Sequence, residues 1–210
     1  MSRLLELLQE KPLTLVVELP ESTVEMAKAA EDAGAQALII KHGFDDEKIL
    51  ESVSIPVGLD ISKEIPEDVD RLINMNFDFI NFPPESIDKY VSSPKGKIVS
   101  LDDNYNLDKL MSVNEESVEG INAAIVPIHQ QVKDLLVGDL QNYIAIALSS
   151  NLPVLIPTQR SIKISEVPII WDTGAKGLIL TKTVLGDTVK SVSKAVKEYK
   201  IAVDGIDPDA

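Results

Sequence analysis

The ten residues Glu31-Asp-Ala-Gly-Ala-Gln-Ala-Leu-Ile-Ile40 return, little changed, as Trp171-Asp-Thr-Gly-Ala-Lys-Gly-Leu-Ile-Leu180. In each copy a helix end is followed by a glycine suited to a C-cap, a small residue, and an apolar run too short to be a helix. This is a helix-to-strand junction used twice. Working outward from it, eight apolar runs punctuate the chain: Leu13–Leu19, Ala37–Ile40, Pro56–Leu59, Phe77–Phe82, Lys97–Leu101, Ile121–Ile128, Pro153–Pro157 and Gly177–Leu180. Such runs, with helical patterns between them, indicate repeated strand–helix units around a parallel sheet. Eight units predict an α/β fold, a closed (β/α)8 TIM barrel forming one compact domain over residues 1–202 with a short N-terminal helix. Residues 203–210 read as an acidic, frayed tail. An open doubly wound sheet is the rival, since its strands are also apolar on both faces. The chain has no obvious long switch-point connection, and no Gly-x-Gly-x-x-Gly follows any run, so closure is favoured.

Composition narrows the function classes. A chain of 210 residues holds one large domain or two small ones, and no Gly-, Pro- and Ser-rich stretch divides this one. With 44% apolar and 26% charged residues it reads as an ordinary globular chain that folds without metal or disulfide. The absence of cysteine removes disulfides, thiolate catalysis and cysteine-ligated zinc or iron–sulfur clusters, and it fits a reducing cytoplasm. A net charge of −14 opposes nucleic acid and anionic membranes as partners. A small anionic metabolite remains compatible, because a local group of cations can override the global sign. Met1–Glu10 reads as an amphipathic helix with internal charges, not as a signal peptide. No run reaches the about 18 apolar residues of a membrane span. Nothing calls for a cofactor or a metal.

Helix signals fall between the runs. Ser22-Thr-Val-Glu25 reads as a capping box, with Ala27, Ala30 and Ala33 on one face and Gly34 as the stop. Pro66 suits a first helical turn ahead of Val69, Leu72 and Ile73. Asp187 is the expected cap of a last helix carrying Val189, Val192, Val196 and Tyr199. The helix between about Val132 and Asn151 reads as the longest and most apolar. Asp45–Ser52 and Ser86–Val91 leave room for short helices only.

In a (β/α)8 barrel the C-terminal strand ends converge on one mouth. The polar residues there are Glu18, Lys41 with His42, Asp60, Asn81, Asp102 with Asp103 and Asn104, His129 with Gln130, Gln159 with Arg160, and Lys182. Closure makes Lys182, Glu18, Lys41 and Asp60 neighbours of alternating sign, an arrangement able to shift the pKa of a lysine or carboxylate. Glu18, set in Leu-Val-Val-Glu-Leu-Pro, is a carboxylate in an apolar strand, where an unpaired charge is unfavourable. Glu18, Lys41, Asp60 and His129 are the candidate catalytic residues. Asn81, Asp102, Gln159, Arg160, Thr181, Lys182 and Thr183 are the candidate substrate-binding residues. Strand alternation means that Lys41 and His42 cannot both face inward. His129 is either a proton shuttle or a loop histidine bonded to backbone. Asp102-Asp-Asn104 is either an oxygen ligand set or a turn. Arg160 and Lys182 either clamp an anion or pair with nearby acids.

Ala27–Asp60 and Trp171–Gly186 together resemble the phosphate-binding (β/α)8 barrels that handle sugar phosphates, nearest to the N-acetylmannosamine-6-phosphate epimerase type. The resemblant regions cover roughly a quarter of the chain. The mouth residues themselves predict acid–base isomerase or lyase chemistry on a small anionic, phosphorylated metabolite; the resemblance alone implies no epimerase activity, and because barrels often dimerise a homodimer is an open expectation. The chain departs from that pattern after strands seven and eight. There Pro157-Thr-Gln-Arg160 and Thr181-Lys-Thr-Val-Leu-Gly186 lack the early glycines that let backbone amides approach a phosphate. Asp60 stands where the epimerase type places a lysine. Two function classes therefore stay open: an enzyme acting on a small anionic metabolite, and a non-catalytic barrel that binds a ligand or a protein partner.

Overall fold

The computed structural model describes residues 1–42, 47–63, 67–111 and 117–208. Pro66 and the start of the segment from Asp45 lie outside them. Each apolar run overlaps a strand: β1 (Thr14–Glu18), β2 (Ala37–Lys41), β3 (Val57–Asp60), β4 (Phe79–Phe82), β5 (Gly96–Ser100), β6 (Gly120–Asn122), β7 (Val154–Pro157) and β8 (Gly177–Leu180). All pairs are parallel, and β8 returns to β1, so the sheet closes as a barrel in chain order. The expected (β/α)8 architecture is the one observed.

Period-two alternation sorts every strand into two faces. Val16, Ala37, Ile39, Phe79, Ile98, Leu155 and Ile179 fill the barrel interior as one buried cluster. Their neighbours in sequence, among them Val17, Leu38, Ile40, Ile80, Val99 and Leu178, pack outward against the helices. Both faces are apolar, which is why the strands read as continuous runs. Glycine makes the interior fit: a Cβ on Gly58 would lie 2.2 Å from the Phe79 ring. Helix α1 (Arg3–Glu10), capped by the Ser2 hydroxyl, inserts Leu4 and Leu8 into the same cluster and closes the bottom of the barrel.

The remaining helices form the outer layer: α2 (Val24–Asp32), α3 (Ile49–Ser52), α4 (Val69–Asn74), α5 (Ile87–Tyr90), α6 (Leu107–Met111), α7 (Val137–Leu148), α8 (Val167–Asp172), α9 (Lys182–Leu185) and α10 (Val189–Asp204). Two caps fall one residue later than the sequence suggests. Thr23, not Ser22, accepts from the Met26 N–H, and Thr188, not Asp187, accepts from the Ser191 N–H. In both cases a hydroxyl with extended backbone takes the position beside an equally plausible neighbour. Gly34 ends α2 with φ +106°, as expected. The longest helix is α10, with 16 residues against 12 in α7. The apolar pattern that lengthened α7 on paper belongs partly to the loop before it. Helix α10 runs through Asp204 with Val203 buried, beyond the boundary expected at 202.

Candidate functional site

One residue beyond the apolar layer on the inward face of each strand forms a ring: Glu18, Lys41, Asp60, Asn81, Ser100, Asn122, Pro157 and, just after β8, Thr181. All eight border a single cleft at the C-terminal mouth, together with Ser62, Lys63, Ala124, Gln131, Gln159, Lys182 and Thr183. The ring follows from register. Lys41 is the Cα partner of Asp60, and Asp60 that of Asn81, so three inward side chains stand abreast. Lys41 takes the inward position and His42 does not. The cleft measures about 160 Å³, below the roughly 300–1,000 Å³ of drug-sized sites. It suits a metabolite of a few carbons, not a dinucleotide.

The Lys41 Nζ lies 2.8 Å from Glu18 Oε1. Burial pulls the Lys41 pKa down, but the Glu18 charge, its hydrogen bond and the Asp60 charge outweigh this and raise it above the ordinary lysine value. Lys41 is therefore an ammonium at neutral pH. Asp60 Oδ1 accepts from the Asn81 side-chain amide at 2.8 Å and from the Ser62 N–H at 3.0 Å. Both bonds fall on one oxygen and orient the carboxylate. Because a carboxylate only accepts, the Asn81 amide must turn its nitrogen to Asp60. Asn81 Oδ1 is left buried without a partner, as is Asn122 Oδ1 across the ring. Buried, unsatisfied acceptors are rare and cluster where function demands them.

At the β7–β8 side, hydroxyls occupy the backbone. The Thr158 hydroxyl accepts from the Thr181 N–H at 2.8 Å, and the Thr181 hydroxyl accepts from the Thr183 N–H at 3.3 Å. The Thr181 hydroxyl also donates to the Thr158 carbonyl at 2.9 Å. Amides that a glycine-rich loop would offer to a phosphate are thus already engaged.

The structure brings together Glu18, Lys41, Asp60, Asn81, Gln159, Thr181, Lys182 and Thr183 of the expected residues. It does not bring three others to the cleft. Arg160 is 2% exposed; its Nε lies 2.8 Å from Asp139 Oδ2, its Nη2 donates to Asp139 Oδ1 at 3.0 Å, and its Nη1 donates to the Gln130 carbonyl at 2.6 Å. A guanidinium spent on this clamp is not available to a phosphate. His129 is exposed on a 3-10 turn (Ile128–Gln130), outside the cleft, with its ring beside the Gln130 amide. The Asp102 carboxylate accepts from the Asn104 N–H at 2.9 Å, so the turn reading holds, and it borders a separate cleft with Tyr105 and Leu110.

Ser100, Asn122 and Gln131 escaped the sequence reading. Ser100 and Asn122 carry no charge to draw notice. Strand β6 is only three residues long and ends at Asn122, well before the Ile128 that the apolar run suggested. Counting two residues on from the inward Ile98 finds Ser100, whereas β6 offers only Gly120 at the matching position and so gives no apolar side chain from which to reach Asn122.

Among the described residues no cluster of three or more His, Asp or Glu is placed to hold a metal, and no helix is long and apolar enough to cross a membrane. No protein-family model and no curated protein matches the chain. Solved structures do. A thiamine phosphate pyrophosphorylase from Pyrococcus furiosus aligns with a TM-score of 0.67 at 16% identity, over 92% of this chain and 96% of that one. Tryptophan synthase from Mycobacterium tuberculosis aligns at 0.70 and 12% identity, over 96% and 98%. A protein described as native KDPGal aligns at 0.70 and 17% identity, over 90% and 94%. At these identities the likeness establishes the barrel fold and does not single out the N-acetylmannosamine-6-phosphate epimerase type.

Proposed function

We propose that the mouth binds a small anionic metabolite, in keeping with the phosphate-binding barrel enzymes, and moves a proton on it by isomerase or lyase chemistry. The observation that carries this reading is the local relief of negative charge. Lys41, Lys63 and Lys182 border the cleft against Glu18 and Asp60, with Asp187 3.9 Å from Lys182, so cations match carboxylates here in a chain of net charge −14. Cations kept together in an acidic protein favour an anion there. With the Thr181 and Thr183 amides engaged, the anion would be held by ammonium groups and hydroxyls. Within the site, Asp60 is the base: its orientation through Oδ1 leaves Oδ2 to take a proton from carbon beside a carbonyl. The Lys41 ammonium, held in place by Glu18, stabilises the negative charge that then develops on oxygen. An imine at Lys41 is disfavoured by its raised pKa.

The occupied amides favour a second reading, a barrel that binds without catalysis. One experiment separates the two. The protein is incubated in D2O with a panel of small phosphorylated aldehydes, ketones and keto acids, and carbon-bound protons are followed by NMR. Exchange beside the carbonyl, slowed about 10²–10⁴-fold by Asp60→Asn, supports the enzyme. Binding without exchange supports the second reading, and neither binding nor exchange removes both.

A further inference from the structure

Among the described residues, eleven large hydrophobic side chains are exposed, and six of them fall between residues 128 and 148: Ile128, Val132, Leu136, Val137, Ile144 and Leu148. Val137, Ile144 and Leu148 recur at positions i, i+7 and i+11, which is one face of α7. Tyr143 and Ile146 supply its buried face against the barrel. The outer face of α7 should be its polar one, as on α10, where Lys190, Lys194, Lys197 and Glu198 recur. Instead α7 carries a single charge, Asp139, and that carboxylate is spent on Arg160.

The loop ahead of α7 is held rigidly. Val132, a β-branched residue, sits at φ +66°, where such side chains are strained. Its N–H donates to the Gln159 carbonyl at 2.8 Å, the Lys133 carbonyl accepts from Ser161, and Arg160 grips Gln130. Strain of this kind persists only where surrounding bonds enforce it. The effect is to fix the loop that displays Ile128, Val132 and Leu136 to solvent. A surface already ordered loses little entropy on association.

We infer that this surface is a self-association face, on which a second copy of the chain docks about a two-fold axis with α7 against α7. Charge decides the occupant. A chain of net charge −14 repels its own copy over most of its surface, but along α7 the one carboxylate, Asp139, is already paired with Arg160. Its exposed charges, Lys133 and Asp134, cancel, and Asp134 lies 3.4 Å from Lys163. A basic partner would be recognised through a cluster of acidic groups, whereas here the exposed Asp134 stands beside Lys133 and Lys163. An apolar stripe along one helix is complementary to itself under two-fold symmetry. A standard interface buries about 800 Å² per partner, so the contact requires the loop from Ile128 to Leu136 as well as the face of α7. The apolar side chains named for this face do not line the ligand cleft, so this inference stands apart from the proposed function.

Sedimentation of the full chain at micromolar to high-micromolar concentration tests it. The wild type is expected to sediment at twice the mass of one chain. The double variant Ile144→Asp/Leu148→Asp should weaken association at least about 100-fold while keeping the wild-type circular dichroism and melting cooperativity. Ile201→Asp, at a residue 72% exposed on α10, should leave the dimer intact. A monomeric wild type, or a dimer that survives the double variant, would overturn the inference.

Discussion

Arg160 carries the clearest lesson at the scale of the residue. In the sequence a strand-end arginine reads equally as an anion clamp or as the partner of a nearby acid. Burial decides against it, because a guanidinium 2% exposed and bidentate to Asp139 already has its anion. Breaking a buried pair strands a charge, so Arg160→Met should lower stability by about 3–5 kcal/mol in urea unfolding. It should do so without abolishing ligand binding at the mouth. Lys41→Met is expected to behave the opposite way. Its pair with Glu18 is half exposed, so the stability change should stay within about 1 kcal/mol, while affinity for a phosphorylated probe should fall about 10-fold or more in calorimetry.

Among the elements, the recurrence of eight apolar runs made the barrel legible, and the polar residues closing those runs gave five of the eight ring positions, Glu18, Lys41, Asp60, Asn81 and Thr181. Glu18, Lys41 and Asp60 are inward charges following apolar residues, and a charge after an apolar run is visible without coordinates. Ser100 and Asn122 were invisible because uncharged polar residues are common at strand ends and β6 is short. The starts of α2 and α10 were legible to within one residue, since a Ser-Thr or Asp-Thr pair offers two equivalent caps, whereas α7 begins at Val137, five residues later than its apolar pattern suggested. Thr188→Ala should accordingly destabilise by about 1 kcal/mol, whereas Asp187→Ala should have a smaller effect. The packing between β3 and β4 gives a sharper prediction. A methyl group on Gly58 has no room beside Phe79, and overpacking of this kind typically destabilises by about 1–3 kcal/mol. Gly58→Ala should lower the melting temperature, and Phe79→Leu added to it should recover part of the loss; additive losses would contradict the packing.

For the whole molecule, buried tyrosines set the alkaline limit. Burial, with Glu166 and Glu198 nearby, pushes the Tyr199 pKa up to about 12, and the hydroxyl donates to the Ile162 carbonyl. Tyr143, buried and close to Asp139, is shifted further in the same direction. A folded-state pKa above the unfolded one means that the neutral form is favoured in the native state. Its contribution is fully present below about pH 10 and is lost as pH rises toward 12. Lys41, also raised, adds to the same loss. Urea midpoints should therefore fall steeply above pH 10, and Tyr199→Phe should shallow that fall.

The barrel gathers eight distant strand ends into one rim, and the account rests on that rim being the place where an anion binds. Titration of the isotope-labelled protein with a small phosphorylated ketone, read through side-chain amide and lysine resonances, tests this most directly. The shifts should concentrate on Asn81, Asn122, Gln159 and Lys41. Shifts confined to the Tyr105 cleft, or none at saturating probe, would contradict the account.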